Sequence, residues 1–497
     1  MVFIKYSFVL LSVFLGFTLS AQISFHRIYA GDDYDYGYDL FQMEDTSYYL
    51  CGASSSFQDG PSQAILLKVD SLGNSIWSRN YGGSGQEAFL AMDRAGDYGI
   101  YAGGYSSSSN TSGGFDGYLA RLDFDGNVAW DTLIGGSDWD RIVSLKATAD
   151  SGVVVLASTK SFGVGGEDWW IQRYSKTGSL LWEQLFGGSF DDTPTDCEVA
   201  NDLVYLVGNH YIADSAMHKG VVYFLDLATG AQISSDTLEL VGNSIVHDIN
   251  IFPNSINFSG GNYVGIRDSS DMMMGTITPA GQFDYIVIED RQGFEEANCF
   301  TPSLDSSFLY LNKQAAFSPH IPTYPDGEED SKVYSFYTNY VFIPSGSFYC
   351  DYGEDKTENI IATNDGGFAY IGYQEKYTDF KAGLFLVKIG PNGEAPPIQN
   401  PNITNIMGAS LGTSSEIAGD TDLSVYPNPF STQLSVNLKS DKKIVGVYLY
   451  DAMGGFEHKL EYDGGKLEGD FQDLAPGVYY LHLVLEEGEK IVKVVKD

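Results

Sequence analysis

The chain of 497 residues is poor in cysteine, in positive charge and in long apolar runs. Its four cysteines, Cys51, Cys197, Cys299 and Cys350, stand far apart with no CxxC spacing, which argues against a zinc cluster or a dense disulfide framework. Two readings of the thiols stay open: a bridge between Cys51 and Cys350, or four buried small apolar side chains. Lysine and arginine number 28 against 66 acids, a formal net charge of −38, so nucleic acid and anionic lipid would be repelled. An acidic chain can be disordered, but 14 % aromatic residues and only 19 % charged residues make this one foldable. Beyond the first twenty residues no stretch is long and apolar enough to span a bilayer. The histidines are scattered, with no HExxH pair. Gly82-Gly83-Ser84-Gly85 lacks the spacing of a nucleophile elbow, and no phosphate-binding glycine loop is present. No catalytic, cofactor-binding or metal-ligating residue is assigned.

What is present is an export signal and a repeat. Lys5 precedes an apolar run from Phe8 to Leu19 and the small residues Ser20 and Ala21, which reads as a secretory signal peptide over residues 1–21. Trp77, Trp130 and Trp182, about 52 residues apart, each close a strand–turn–strand passage, and each is followed by a glycine signal: Tyr81-Gly-Gly-Ser84, Ile134-Gly-Gly-Ser137, Phe186-Gly-Gly-Ser189. Short apolar segments rich in Val, Ile, Tyr and Phe are bounded by Gly, Asp, Asn or Ser, and no amphipathic stretch of helical length stands out. Turns recur in register, as in Asp70–Gly73, Asp123–Gly126, Ser175–Gly178, Asp226–Gly230, Thr278–Gly281 and Gly390–Gly393. A unit this short cannot bury its own apolar face and must stack on neighbours.

The count is about seven units of about four strands across residues 22–394. The last unit lacks the strand that carries the tryptophan, and Ile23–Tyr29 resembles it (compare Ile76–Tyr81). The expectation is an all-β, seven-bladed β-propeller closed by its N-terminal strand, with an irregular sixth unit around Ala316–Asp330. The repeat W-x₃-YGGS…AGGY…L-x-K/R-L-D-x-x-G-N-x-x-W resembles that of secreted bacterial β-propeller proteins of the Bacteroidetes type. That resemblance implies architecture and is nearly silent about ligand.

Residues 395–421 alternate proline with small polar residues and read as a linker. Residues 422–497 have short alternating strands with frequent turns, as in a small Ig-like β-sandwich. Tyr426-Pro427-Asn428-Pro429-Phe430, the turn at Gly454-Gly455, the strand entry Pro476-Gly477-Val-Tyr479 and the lysine-bearing last strand with Lys493 resemble, in order and spacing, the C-terminal sorting domain of the type IX secretion system. The resemblance implies passage through the periplasm and recognition by type IX machinery at the outer membrane. It also implies cleavage by a sortase in the linker, then release or attachment to surface lipopolysaccharide.

One constellation is a candidate site. Asp35, Glu87, Asp140, Asp192, Asp248, Glu295 and Asp355 each follow the glycine signal of their unit, and ring symmetry would set them around a channel, where they would attract a cation or a basic partner. The competing reading is that each caps a turn or pairs within its own blade, with Lys68, Arg121, Arg173 and Lys388 as recurring partners. Trp139, Trp169 and Trp170 lie in or beside loops, and two readings stay open: aromatic faces suited to carbohydrate or peptide, or packing between blades. The expected role is an exported, surface-attached or secreted binding scaffold with a carbohydrate or protein ligand. The alternatives are a propeller enzyme acting on polysaccharide and a purely structural surface protein.

Overall fold

The computed structural model describes residues 24–57, 60–108, 114–252, 255–263, 270–289, 294–303, 308–316, 329–337, 348–349, 355–375, 382–390 and 402–405. In the C-terminal part it describes 423–426, 434–438, 444–451, 456–463, 466–468, 471, 474, 477–485 and 489–496. Residues 1–21, expected as a signal peptide, and the core of the Ala316–Asp330 insertion lie outside these residues. The chain forms two compact units, Met1–Ala409 and Ser410–Asp497. Among the described residues the fold is all-β, with one helical turn at Gly96–Tyr98.

The first unit is a succession of antiparallel sheets, each made by a meander. After β1 (Phe25–Ala30) come β2 (Asp35–Gln42), β3 (Tyr48–Ser54), β4 (Gln63–Val69) and β5 (Ser75–Tyr81). The second sheet is β6 (Glu87–Arg94), β7 (Ile100–Ser106), β8 (Asp116–Leu122) and β9 (Val128–Ile134). The third is β10 (Asp140–Ala147), β11 (Val153–Thr159), β12 (Asp168–Tyr174) and β13 (Leu180–Phe186). The pattern continues with β14 (Thr193–Ala200), β15 (Leu203–Ile212), β16 (Met217–Asp226) and β17 (Gln232–Thr237), then β18 (Asn243–Phe252), β19 (Ser255–Tyr263), β20 (Ser270–Ile277) and β21 (Phe283–Glu289). Next come β22 (Phe294–Pro302), β23 (Phe308–Ala316), β24 (Glu329–Tyr337) and β25 (Phe348–Tyr349). Single parallel bridges, Lys219 to Ser244 and Ser270 to Phe294, link these last three groups edge to edge. The final group is β26 (Asp355–Ala362), β27 (Phe368–Glu375) and β28 (Ala382–Ile389), completed by β1, which pairs antiparallel with β28 from Phe25↔Lys388 to Tyr29↔Leu384.

The first strands pack side by side in a closed cycle: β2 on β6, then β10, β14, β18, β22 and β26, which returns to β2. The middle strands β3 and β4 are buried almost throughout, because a neighbouring sheet covers each face, whereas β13 is largely exposed. One apolar cluster runs from Ile371 and Leu384 of the final group, through Leu50 and Leu66, to Phe89 and Tyr118 of the second sheet.

The repeated turns explain the register. Gly73 and Gly126 have φ of +76° and +78°, where a Cβ would be strained, and Asp70 and Asp123 cap their turns by accepting main-chain N–H bonds at 2.8 Å. The recurring strand-end aromatics dock on the turn of the next sheet. Trp130 Nε1 donates to Lys176 O at 3.0 Å and Trp182 Nε1 to Leu227 O at 2.9 Å. The closing strand repeats this chemistry. Tyr81 Oη donates to Gly126 O at 2.8 Å and Arg79 to Asn127 Oδ1 at 3.0 Å. In the same way Tyr29 Oη donates to Gly73 O at 2.6 Å and Arg27 to Asn74 Oδ1 at 3.3 Å. Strand β1 thus does for the first sheet what β5 does for the second.

The structure decides between the two readings for the first thiol. Cys51 is a buried free thiol, not a disulfide partner: β3 points it at β6, 3.7 Å from Phe89 O, toward the second sheet. Cys350 lies outside the described residues. Within the stretch expected as linker, β29 (Asn402–Asn405) pairs parallel with β1.

The second unit orders its strands β30 (Leu423–Tyr426), β31 (Leu434–Leu438), β34 (Lys466–Glu468), β33 (Phe456–Asp463), β32 (Ile444–Asp451), β35 (Gly477–Leu485) and β36 (Glu489–Lys496). Alternation buries Val447 and Leu449 of β32 and Tyr479, Leu481 and Leu483 of β35.

Candidate functional site

Every inner strand carries a β-bulge at the same height. The register shifts between Gly37 and Asp39, Phe89 and Ala91, Ile142 and Ser144, Pro194 and Asp196, Val246 and Asp248, Ala297 and Cys299, and Thr357 and Asn359. A bulge re-aims side chains, and here Tyr38, Leu90, Val143, Thr195, His247, Asn298 and Glu358 line an axial cavity of about 330 Å³.

At five of the seven bulges the residue that follows reaches across to the next sheet. Asp39 Oδ2 accepts Met92 N–H at 2.7 Å, Asp196 Oδ2 accepts Ile249 N–H at 3.2 Å, and Asp248 Oδ2 accepts Phe300 N–H at 2.8 Å. Ser144 Oγ accepts Cys197 N–H at 3.3 Å and donates to Asp196 Oδ1 at 2.7 Å. Two residues further along β6, Asp93 Oδ2 accepts Ala147 N–H at 2.8 Å. The circle closes where Asn359 Nδ2 donates to Asp39 Oδ1 at 2.5 Å. An inner strand has one edge without a ladder partner, and these side chains satisfy its main-chain donors.

The electrostatics follow from burying these acids beside Lys146 and Lys356. Burial pushes Asp39 up to about 6 against the pull of Met92 N–H and Asn359. Burial also raises Asp93 and Glu198, opposed by Lys146, and raises Glu358, opposed by Lys356. Burial and then the charge of Asp196 hold Asp248 well above the usual carboxylate range. Lys146 lies 2.8 Å from Glu198; burial works against its charge, but Glu198, Asp196 and Asp93 outweigh it and the ammonium is held firmly.

The structure splits the expected acidic ring in two. Asp35, Glu87, Asp140 and Asp192 are buried at the start of their inner strands and are absent from the channel lining. Each accepts the N–H of the preceding glycine turn: Gly31 at 2.6 Å, Gly83 at 3.1 Å, Gly136 at 2.9 Å and Gly188 at 2.6 Å. Ser54 and Ser56, Ser106 and Ser108, and Thr159 and Ser161 add hydroxyl donors to the first three. Burial pushes Asp35 up to about 6 despite the Gly31, Ser54 and Ser56 bonds. Asp248 belongs to the other set and lines the channel; in its sheet the turn position is Ser244, which pairs with Asn262 as Asp35 pairs with Ser54. Glu295 and Asp355 sit at the turn position by register, opposite Ala315 and Gln374, and their side chains lie outside the described residues.

The recurring cations hold other partners. Arg121 donates to Lys176 O at 2.6 Å, Arg173 to Leu227 O at 2.7 Å, Lys388 pairs with Asp365 at 3.0 Å, and Lys68 lies over the Tyr49 ring. Sequence reading missed Asp39, Asp93, Lys146, Asp196 and Glu198. The signal was a second column of acids at the repeat spacing, hidden because one inserted residue inverts the alternation.

The aromatics also separate. Trp169 and Trp170 belong to β12, not to a loop; Trp169 is fully buried, and Trp170 is buried with Nε1 3.0 Å from Glu183. Trp139 is 56 % exposed, its ring 4.6 Å from Phe115, which lies 5.0 Å from Tyr105. These three line a second cavity of about 350 Å³ with Gln86, Arg141, Lys160 and Glu167. Arg141 bonds Glu167 at 3.4 Å. Among the described residues no group of three or more His, Cys, Asp or Glu is arranged as a metal set, and no helix is long and apolar enough to cross a membrane.

Comparison with known proteins identifies the tail. Residues 424–497 match the family described as secretion system C-terminal sorting domain. This tail marks the chain for type IX handling, to be secreted or attached at the cell surface. Of its motif, Tyr426 ends β30, Gly477 and the buried Tyr479 lie in β35, and Lys493 in β36 pairs with Tyr480; Pro427, Asn428, Pro429, Gly454, Gly455 and Pro476 lie outside the described residues. No curated protein matches the chain. Among solved structures, Sqt1 from Chaetomium thermophilum aligns at 10 % identity over 84 % of this chain and 96 % of that one, TM-score 0.43. Extracellular domains 1-2 of Drosophila Semaphorin 1b align at 7 % identity over 74 % and 87 %, TM-score 0.42.

Proposed function

We propose that this chain is an exported binding scaffold: a seven-bladed β-propeller of the Bacteroidetes repeat type, delivered by a C-terminal β-sandwich that a sortase removes. The bridged cycle of inner strands and the closing strand β1 support the propeller. The observation that carries the binding role is the Trp139–Phe115–Tyr105 cavity, where an apolar ring is left facing solvent beside Gln86, Arg141 and Lys160. Aromatic faces next to hydrogen-bonding side chains suit a saccharide, whose C–H faces stack while its hydroxyls bond.

The channel supports a structural role better than a chemical one. Its acids are engaged with main-chain donors of neighbouring sheets, and no chemical step is assigned to it. A glycan array probed with the secreted protein and with Trp139→Ala tests the reading. A saccharide should bind, and the variant should weaken it about tenfold or more, equivalent to about 1.4 kcal/mol. Equal binding by both proteins, or no glycan bound, would refute it.

A further inference from the structure

One register position lies near the start of the third strand in the first four sheets and faces the turn that enters the next sheet. Gln63, Asp116, Asp168 and Lys219 occupy it in the first four sheets, paired with Ser54, Ser106, Thr159 and His210. The residue across the junction is Glu87, Asp140, Asp192 and Ser244 in turn. At the first junction the Gln63 amide donates to Glu87 Oε2 at 3.2 Å and to Gly83 O at 2.9 Å, so the carboxylate has a donor. At the fourth the acid is replaced by Ser244, and the Lys219 ammonium bonds the turn carbonyls of Gly242, at 2.8 Å, and Leu240. The protein itself places a cation there.

The two middle junctions set carboxylate against carboxylate. At the first of them the oxygens converge: a methyl built on Gly135 would lie 2.1 Å from Asp116 Oδ1 and 2.8 Å from Asp140 Oδ2. Asp168 is 1 % exposed, and its Oδ1 has no hydrogen-bond partner. That oxygen stands over Gly187, where a methyl would come within 1.8 Å of it. The Gly188 N–H donates to Asp192 Oδ2 at 2.6 Å and also draws Asp168 down, and Asp168 Oδ2 accepts the Val164 N–H at 2.6 Å, which leaves Oδ1 facing Gly187. Burial, reinforced by the neighbouring acid, raises both Asp116 and Asp168. An orphaned buried carboxylate oxygen beside a second carboxylate is costly unless a positive charge is supplied.

We propose that the pairs Asp116–Asp140 and Asp168–Asp192 each bind a hard divalent cation of the calcium class, completed by neutral turn oxygens and water. All-oxygen donors select such an ion over zinc or copper. Two carboxylates per site, rather than three or more, place the affinity near that of extracellular calcium modules, about 10⁻⁴–10⁻³ M. The ions stand where Lys219 stands one junction later and tie the third sheet to its neighbours on both sides.

Chelator-treated mature chain is titrated with terbium while tryptophan is excited, since Trp139 adjoins Asp140 and Trp169 adjoins Asp168. Sensitised emission should appear, be displaced by millimolar calcium and be untouched by potassium. Calcium at 10 mM should raise Tm by about 2–4 °C. Asp116→Asn and Asp168→Asn should each remove about half the emission, and together nearly all of it. Absence of both emission and a calcium-dependent Tm in the unsubstituted chain would overturn the proposal without need of a variant. Unchanged emission in both single variants would overturn it equally.

Discussion

Lys146 is the cation that makes the channel tolerable, and Lys146→Met tests that directly. The substitution keeps the length of the stem and removes the charge, leaving Glu198, Asp196 and Asp93 facing one another. Breaking a fully enclosed ion pair costs about 3–5 kcal/mol. Here Lys146 and Glu198 keep 32 % and 20 % of their side-chain surface open to the channel, so water screens part of the loss. A deficit of about 2 kcal/mol at pH 8 is therefore expected. The deficit has a pH sign. Asp93 and Glu198 already have raised pKa values in the fold, and loss of Lys146 raises them further. An acid whose folded pKa lies above its unfolded value is least destabilising below the unfolded pKa, about 4, and its cost grows as pH rises through the folded one. The deficit should shrink to about 1 kcal/mol or less at pH 5. Urea unfolding followed by tryptophan fluorescence reads this region alone, because all six tryptophans lie between Trp77 and Trp182. Adding Glu198→Gln to Lys146→Met should recover at least half the loss at pH 8. A deficit below about 0.5 kcal/mol at pH 8, or one of equal size at both pH values, would refute the account.

Two further predictions concern closure and export. Tyr29→Ala empties a fully buried site in the closing strand and removes the bond to Gly73 O, so a loss of about 3–5 kcal/mol is expected in the same assay, with Tyr29→Phe losing only about 1 kcal/mol. Truncation after residue 422 should leave the protein in the periplasm, read by fractionating the producing cells; undiminished release into the medium would contradict a sorting role for residues 424–497.

Much of the fold was legible because repetition amplifies weak signals. Gly73, Gly126 and Gly178 recur where φ must be positive, and Trp130 and Trp182 recur where a ring must cover the next turn. The missing strand at the end and the spare strand at the start pointed to each other. The channel was not legible, because a bulge adds a residue without changing composition. Counting by twos from Asp35 cannot show that Tyr38 turns to the axis while Asp39 crosses to Met92. Asp248 therefore entered the wrong column: Ser244 had replaced the turn acid of its unit, and Asp248 was the nearest acid left. The aromatic cavity was half legible. Trp139 stood apart from the repeated tryptophans, but so did Trp169 and Trp170, and only burial distinguishes them.

The pairing of Phe25 with Lys388 has a temporal consequence. Strand β1 is synthesised long before its partner β28, so the closing contacts span most of the first unit, and their loop entropy is met late. Until then the free rims of β28 and of the first sheet stand open to strands of other molecules. A chain built this way gains from being kept apart from its siblings until β1 and β28 meet.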